Sequence, residues 1–341
     1  MNKLNKESEA YFVKMGSTVI FHYDCNSDHY YRKGVECGEI DVTIPNKSEI
    51  RTIIIDPLFV NFKPAYYINW FFNLGNLERI IGLEYLNTSM VNNMRSMFEG
   101  CASLKELDLR NFDTSKVTDM EYMFKNCISL TSLDLRNFDT SKVTDMNLMF
   151  YNCESLTSID VRNFDTSNVK DMSGMFGCCE SLTSLDVRNF NTSKVKDMSW
   201  MFEDCSSLTT LDLRNFNTSN VTNIKSMFGD CEKLTNIDLS SFNTSNVINM
   251  GRMFSNCENL KTIGVSNFNT SKVTYISGMF CSCKSLISLD LSSFNISSVN
   301  GAITRMFDYC KNLETIYVGK GWNMSKVNKS LDDKEQNFIE I

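Results

Sequence analysis

The sequence predicts an α/β repeat fold in which short coils of equal length stack on each other. The cysteines from Cys101 to Cys283 recur every 26 residues, and Cys310 follows after 27. A Met-Phe dipeptide recurs in register with them, from Met97 to Met306. Because the two series share one period, the cysteines mark a repeated unit rather than disulfide pairs. A content of 42% apolar and 22% charged residues is typical of a chain that buries a core.

The first half of each unit predicts a short strand. In the unit that begins at Leu104, the pattern L-x-x-L-x-L places Leu107 and Leu109 in an alternation that buries one face. Phe112 is expected to turn inward after the strand. The following DTSK favours a turn or a helix N-cap at Thr114 or the next serine, since these side chains bond nearby backbone groups.

The second half of the unit predicts a short helical segment. Val117, Met120, Met123, Phe124 and Cys127 form an apolar stripe at helix-like spacing. No unit of this size covers its own apolar face, so neighbouring coils must share one core. We therefore expect a leucine-rich-repeat solenoid with a parallel β-sheet on one face and short helical or irregular segments on the other.

The array is expected to have different ends. Residues 1–65 form a small N-terminal β cap, residues 66–318 form the solenoid, and residues 319–341 form a C-terminal cap and a frayed tail. The solenoid contains about ten repeats, because a degenerate unit at Phe71-Phe72 precedes the nine Met-Phe units.

The N-terminal cap is predicted to consist of strands. Tyr11–Met15 and Thr18–Tyr23 form a hairpin around Gly16-Ser17, and Glu39–Ile44 and Ile50–Ile55 are further strands.

The strand positions between the buried leucines form two outward ladders, one of aspartates and one of arginines. Arginines two residues after the aspartates offset the repulsion between stacked carboxylates. The face is either a self-neutralising surface or a polar binding face. The arginines give way to Ser240, Ser266 and Ser292, so the C-terminal half is expected to be more acidic. The candidate face comprises Asp108, Arg110, Asp134, Arg136, Asp160, Arg162, Asp186, Arg188, Asp212 and Arg214.

Two aromatic residues are candidate anchors for a ligand. Tyr122 and Trp200 occupy a variable position just before a Met-Phe dipeptide. Aromatic side chains are enriched among the residues that dominate binding energy. The alternative is that both are exposed aromatics without a role.

The cysteines are expected to be buried free thiols rather than disulfides or ligands, since a thiol is a small apolar group that suits a repeated core position. Cys178 and Cys281 replace polar residues, so exposure is possible for both. Four residues of the cap could be counted as zinc ligands, but their spacing matches no standard zinc finger. A disulfide between the two cysteines and an unlinked set are the alternatives. These four are His22, Cys25, His29 and Cys37.

Catalysis, cofactors and nucleic acid find little support in the sequence. The repeats contain no histidine, and their aspartates recur alike in every coil, whereas an acid–base pair needs carboxylates in different environments. No phosphate-binding loop is present, and a net charge of −7 disfavours nucleic acid. No apolar run is long enough to span a bilayer, and the N-terminus lacks the apolar core of a signal peptide.

The recurring NFDTSKVTDMxxMFxxCxSLTSLDL resembles the 26-residue bacterial surface protein repeat of BspA-like leucine-rich-repeat proteins. The resemblance covers about residues 66 to 318. It implies a non-catalytic binding scaffold, at the cell surface or secreted, for adhesion or recognition of host or neighbouring-cell macromolecules. The expected partner is a protein or a glycan, and the chain is expected to be a monomer. The alternative, favoured by the missing signal peptide and the many free thiols, is an intracellular protein-interaction scaffold in the cytoplasm.

Overall fold

The structure, a computed structural model, describes residues 8–25, 36–39, 44, 46–320, 322–327 and 337–341. An N-terminal sheet leads into a stack of 26-residue coils, and a second small sheet lies at the C-terminal end. The strands are β1 Glu9–Met15, β2 Thr18–Asp24, β3 Glu36–Glu39, β4 Thr52–Ile55, β5 Arg79–Ile81, β6 Ser288–Leu291, β7 Thr315–Val318 and β8 Asn337–Glu340. Short 3-10 helices span Lys47–Glu49, Pro57–Asn61, Leu83–Tyr85 and Met324–Lys326.

The N-terminal sheet has the strand order β3-β1-β2-β4-β5. β1 and β2 pair antiparallel, which confirms the predicted hairpin. Gly16 has a φ of +61° at the first position of its two-residue turn, where a type II′ turn requires glycine. A strand was predicted at residues 39–44, whereas the observed strand, β3, ends at Glu39. Residues 40–43 lie outside the described residues. The strand predicted from Ile50 begins two residues later, as β4.

One apolar core runs through the whole stack. In the coil that starts at Leu104, the leucine itself, Leu109, Met123 and Cys127 are completely buried. A column of phenylalanine rings runs from Phe71 to Phe307 through the Met-Phe positions, and neighbouring rings are nearly parallel. Each coil therefore buries its apolar residues against the coils on both sides, as the repeat predicts.

The segment from Met120 to Cys127, like its equivalents in the other coils, is a run of turns. Of the helical or irregular segments expected there, the short helix does not form and the irregular alternative is present. The N–H of Met123 donates to the carbonyl oxygen of Met120 at 3.2 Å, and Tyr122 between them has a φ of +60°. Asn126 has the same φ one turn later. A positive φ at the third residue defines a type II turn and interrupts a helix. The apolar spacing fits both structures, and the tertiary fold selects the turns.

These turns also hold the coils together. Alternate N–H groups donate to the following coil: Phe98 to Met123 at 2.9 Å and Gly100 to Lys125 at 2.8 Å. Isolated parallel bridges, such as the one between Asn93 and Asp119, continue at the same position from coil to coil. We call this part of each coil the turn segment.

The parallel sheet predicted on the leucine side is present only at the ends of the stack. β4 and β5 pair in parallel near the N-terminus, and β6, β7 and β8 do so near the C-terminus. In the described coils between them this side forms no strand. The N–H of Arg110 donates to the carboxylate of Asp108 in its own coil at 3.2 Å. Such local bonds compete with sheet pairing.

The C-terminal end is more ordered than the frayed tail predicted for it. β8 pairs in parallel with β7, with Phe338 opposite Ile316. Phe338 contacts Phe307, the last ring of the phenylalanine column, in an edge-on arrangement at 6.0 Å. Residues 328–336, which include most of the predicted tail, lie outside the described residues.

Candidate functional site

Five consecutive coils carry the same exposed ion pair. In each, the arginine binds the aspartate two residues earlier with two parallel hydrogen bonds, Nε to Oδ1 at 2.8–2.9 Å and Nη2 to Oδ2 at 2.6–2.8 Å. We call these pairs the Asp–Arg face. They are Asp108–Arg110, Asp134–Arg136, Asp160–Arg162, Asp186–Arg188 and Asp212–Arg214.

The charged groups of these pairs are held by hydrogen bonds but remain exposed to solvent. The arginine side chains are 64–76% exposed and those of the aspartates 34–59%. Hydrogen bonds from the arginine lower the pKa of each aspartate, to about 2 in Asp134. Exposed pairs of this kind contribute little to folding stability. What the pairing provides is orientation: two parallel hydrogen bonds hold each guanidinium against its carboxylate through Nε and Nη2 and leave Nη1 outside the pair.

The arginine ladder ends where the sequence indicates. Asp238 and Asp290 remain, and each accepts the N–H of a serine two residues later, at 3.0 Å, in place of the arginine pair. Gly264 takes the aspartate position in the coil between them. The exposed carboxylates of the last coils therefore lack the guanidinium that accompanies those of the first five.

Two grooves lie along this side. One, of about 520 Å³, is bounded by the pairs of Asp160 and Asp186 and by Asp212. The other, of about 590 Å³, lies between the last strand of the N-terminal sheet, β5, and the coils that follow it. We call it the junction groove, and its lining is Glu78, Arg79, Ile80, Leu83, Glu84, Glu106, Leu107, Asp108, Arg110, Ser132 and Asp134.

The two candidate anchors do not lie on the Asp–Arg face. Tyr122 and Trp200 are the positive-φ residues of their turn segments, with φ of 60° and 58°. The guanidinium of Arg95 lies 5.0 Å from the centre of the Tyr122 ring, and Lys125 Nζ lies 4.6 Å from it. Lys225 Nζ lies 5.0 Å from the Trp200 ring. The chain's own cations cover both rings, which makes them poor anchors for a partner.

Sequence reasoning missed the carboxylates of the turn segments. Asp119 and Asp145 are half-buried at bridge positions, and burial raises the pKa of both. Burial and nearby carboxylates, led by Glu180, raise the pKa of Asp204 to about 6. For Asp204 the sequence did carry a signal: an aspartate stands there at the repeat position that is asparagine in other coils, such as Asn126 and Asn152.

The cysteines are core residues. The nine repeat cysteines are buried and unbridged, and Cys153 Sγ donates to the carbonyl oxygen of Phe124 at 3.2 Å. Burial raises the pKa of the Cys153 thiol to about 12, so the group is held as the neutral thiol. Cys178 and Cys281 are only partly buried.

The four possible zinc ligands are not brought together as a site by the described residues. His22 stacks on Tyr11, and its Nδ1 lies 3.4 Å from the carboxylate of Asp56. His29 lies outside the described residues. Within the part of the chain that is described, no cluster of three His, Cys, Asp or Glu side chains could hold a metal ion.

Solved structures similar to this chain include leucine-rich-repeat proteins, but at low scores. A leucine-rich repeat protein from Eubacterium ventriosum is 14% identical with a TM-score of 0.30, over 85% of this chain and 95% of that one. The plant peptide hormone receptor RGFR1 in complex with RGF2 is 13% identical with a TM-score of 0.25, over 80% and 48%. The TLR13–ssRNA13 complex is 12% identical with a TM-score of 0.22, over 80% and 51%.

No curated protein matches the chain. No helix among the described residues is long and apolar enough to cross a membrane. One family model matches three overlapping stretches, residues 68–182, 154–263 and 230–337, which together cover most of the chain. The chain therefore belongs to the repeat family described as Mycoplasma protein of unknown function, DUF285.

Proposed function

We propose that this chain is a non-catalytic leucine-rich-repeat solenoid that binds a protein or a glycan through its Asp–Arg face. The observation that carries the proposal is the repetition of one exposed, oriented ion pair in five consecutive coils. A repeated site favours an extended partner, because such a partner contacts several coils at once and adds their contributions.

The chemistry of the pairs supports a polar macromolecule over nucleic acid. Each guanidinium already binds a carboxylate, so the face has no row of uncompensated positive charge for phosphates. Nη1 of each arginine and the outer lone pairs of each carboxylate can still bond hydroxyl, amide or carbonyl groups of a partner.

The same repetition argues against catalysis. The aspartates of the face share one environment and one direction of pKa shift, as Asp134, Asp160 and Asp186 illustrate. A general acid and a general base need different environments. Asp204, whose pKa is raised to about 6, stands apart on a turn segment among other carboxylates.

We further propose that the partner is met at a bacterial surface, in adhesion to host or neighbouring-cell macromolecules. The support is the resemblance of the repeat to BspA-like surface proteins. Fractionation of the producing cells tests this location, and recovery of the protein only from the cytosol would overturn it.

Binding is tested on a panel of purified extracellular proteins and glycans by biolayer interferometry. The face variant Arg136→Ser, Arg162→Ser, Arg188→Ser is compared with a control that removes three exposed lysines of nearby coils, Lys142→Ser, Lys170→Ser, Lys196→Ser. We expect the face variant alone to lose at least about tenfold in affinity for the bound member. Equal affinities of the two variants would show that the face is not the binding surface.

A further inference from the structure

We propose that the junction groove receives a lysine or arginine side chain of a partner polypeptide that continues along the Asp–Arg face. This inference rests on the proposed function and narrows its partner to a polypeptide with a basic residue. Three features of the groove support it: its apolar floor, its unpaired carboxylates and its continuity with the face.

The floor of the groove is apolar and partly open. Leu107 is only partly buried, whereas Leu133 at the same position one coil later is 7% exposed. Ile80 of β5 lies at the other side of the floor and is also partly buried.

The rim of the groove carries an excess of carboxylates. Glu78 is paired with Arg51 at 2.8 Å, and Asp108 is paired with Arg110. Glu84 and Glu106 line the groove, and neither has a hydrogen-bond or ion-pair partner among the described residues. Both are exposed, so no burial penalty opposes their charge.

The cations of the groove do not neutralise these two glutamates. Arg79 points its Nε to the hydroxyl of Thr52 at 3.3 Å. Arg110 is occupied by Asp108. The groove therefore combines apolar residues with two unpaired carboxylates, against one guanidinium, that of Arg79, that has no carboxylate partner among the described residues.

A lysine or arginine side chain matches both properties. Its methylene stem covers apolar surface, while its charged head reaches carboxylates. A neutral side chain would leave the rim uncompensated, and an acidic one would be repelled.

The continuity of the groove with the face favours a polypeptide over a small cation. Asp108, Arg110 and Asp134 belong both to the groove and to the first two pairs of the face. A partner polypeptide that places one basic residue in the groove can therefore also contact the ion pairs of the next coils. A small cation gains nothing from that continuity.

The test measures the binding of a fluorescent heptapeptide, Gly-Ser-Ile-Arg-Ile-Ser-Gly, to the full-length protein by fluorescence anisotropy. A second peptide carries citrulline, the neutral isostere of arginine, in the central position. We expect the citrulline peptide to bind about tenfold more weakly, and the affinity of the arginine peptide alone to fall as salt is added. Equal affinity for the two peptides would overturn the proposal.

The protein variants locate the effect. The double variant Glu84→Gln, Glu106→Gln should bind the arginine peptide about tenfold more weakly. The control Glu232→Gln changes an exposed glutamate outside the groove and should leave the affinity for the peptide unchanged. Unchanged binding in the double variant would contradict the assignment of the site. Equally tight binding of free arginine amide would show that the groove takes a small cation.

The outcomes separate this inference from the proposed function. If the face variant has a reduced affinity for a macromolecule of the panel but the arginine peptide does not bind to the protein, only the inference about the groove fails. If the arginine peptide binds as expected but no panel member binds, the groove stands and the proposed macromolecular partner fails.

Discussion

Thr114 holds two groups of a single residue in the next coil: its Oγ1 accepts the N–H of Asp139 at 2.8 Å and donates to the carbonyl oxygen of Asp139 at 3.0 Å. Thr114 is 1% exposed. Equivalent threonines repeat both bonds along the stack, for example Thr192 with Asn217. A buried hydroxyl thus takes over the link between coils that a sheet would otherwise make.

Thr114→Val keeps the shape of the side chain but leaves the N–H and the carbonyl of Asp139 without these bonds. We expect a loss of about 1–3 kcal/mol in the free energy of unfolding, measured by urea denaturation. Thr114→Ser keeps the hydroxyl and should retain most of the stability that Thr114→Val loses. The control is Thr118→Val, because the exposed hydroxyl of Thr118 donates only to Asn92 O at 3.1 Å. A larger loss in the control would contradict the role given to Thr114.

The positive-φ position of the turn segment provides a second test. Arg252 has a φ of +57°, is exposed and has no ion pair among the described residues. Arg252→Asn should raise the free energy of unfolding by up to about 1 kcal/mol, since asparagine adopts this conformation readily.

Arg252→Val should lower it by about 1–2 kcal/mol, because a β-branched residue is strained there. Lys142, an exposed residue whose φ is not positive, is the control, and Lys142→Val should change stability by less than about 0.5 kcal/mol. Equal responses at positions 142 and 252 would show that the backbone at Arg252 is not left-handed.

The buried residues were predictable from the sequence, and the conformation of the turn segment was not. Leu109 and Phe124 recur with the period, and a recurring apolar residue is buried whatever the local backbone. The stripe through Met120 and Met123 fits a helix as well as two type II turns. The signals for the left-handed conformation are the asparagines and the glycine at position 126 and its equivalents, and Gly174 and Gly278 at the equivalents of position 122.

The candidate site likewise has features that were predictable from the sequence and features that were not. The outward positions of Asp108 and Arg110 follow from strand alternation, which holds even where no sheet forms. Trp200 was a candidate only because it occupies a variable position before a Met-Phe dipeptide, and its ring lies beside Lys225. The junction groove could not be predicted, because it arises where Ile80 of β5 and Leu107 of the coil that starts at Leu104 line one groove.

The ion pairs of the face make a prediction about proton affinity. Arg136→Ser should raise the pKa of Asp134 from about 2, because hydrogen bonds from Arg136 are the largest cause of its lowering. Carbon-13 NMR titration of the carboxyl group measures it. Asp238, which has Ser240 in place of the arginine, is a natural reference, and its pKa is lowered by that serine. An unchanged pKa in Asp134 would mean that the pair does not persist in solution.

Asp204 predicts a dependence of stability on pH. Its pKa is about 6 in the folded protein, against 3.8 for the ordinary carboxyl group, because burial and neighbouring carboxylates disfavour its charge. Between about pH 4 and pH 6 the folded state therefore binds more protons than the unfolded state, so stability falls as pH rises through this window and stays lower above it.

Asp204→Asn removes the charge and suits the φ of +52° at this position. We expect the variant to gain about 1 kcal/mol in the free energy of unfolding at pH 7, a value discounted because the side chain is partly exposed. At pH 4 the gain should be small, since the native carboxyl is then protonated. Thermal unfolding across this range measures the gain, and Asp165→Asn, which changes an exposed aspartate, is the control. A gain at pH 4 equal to that at pH 7 would show that the ionised carboxylate is not the source of the penalty.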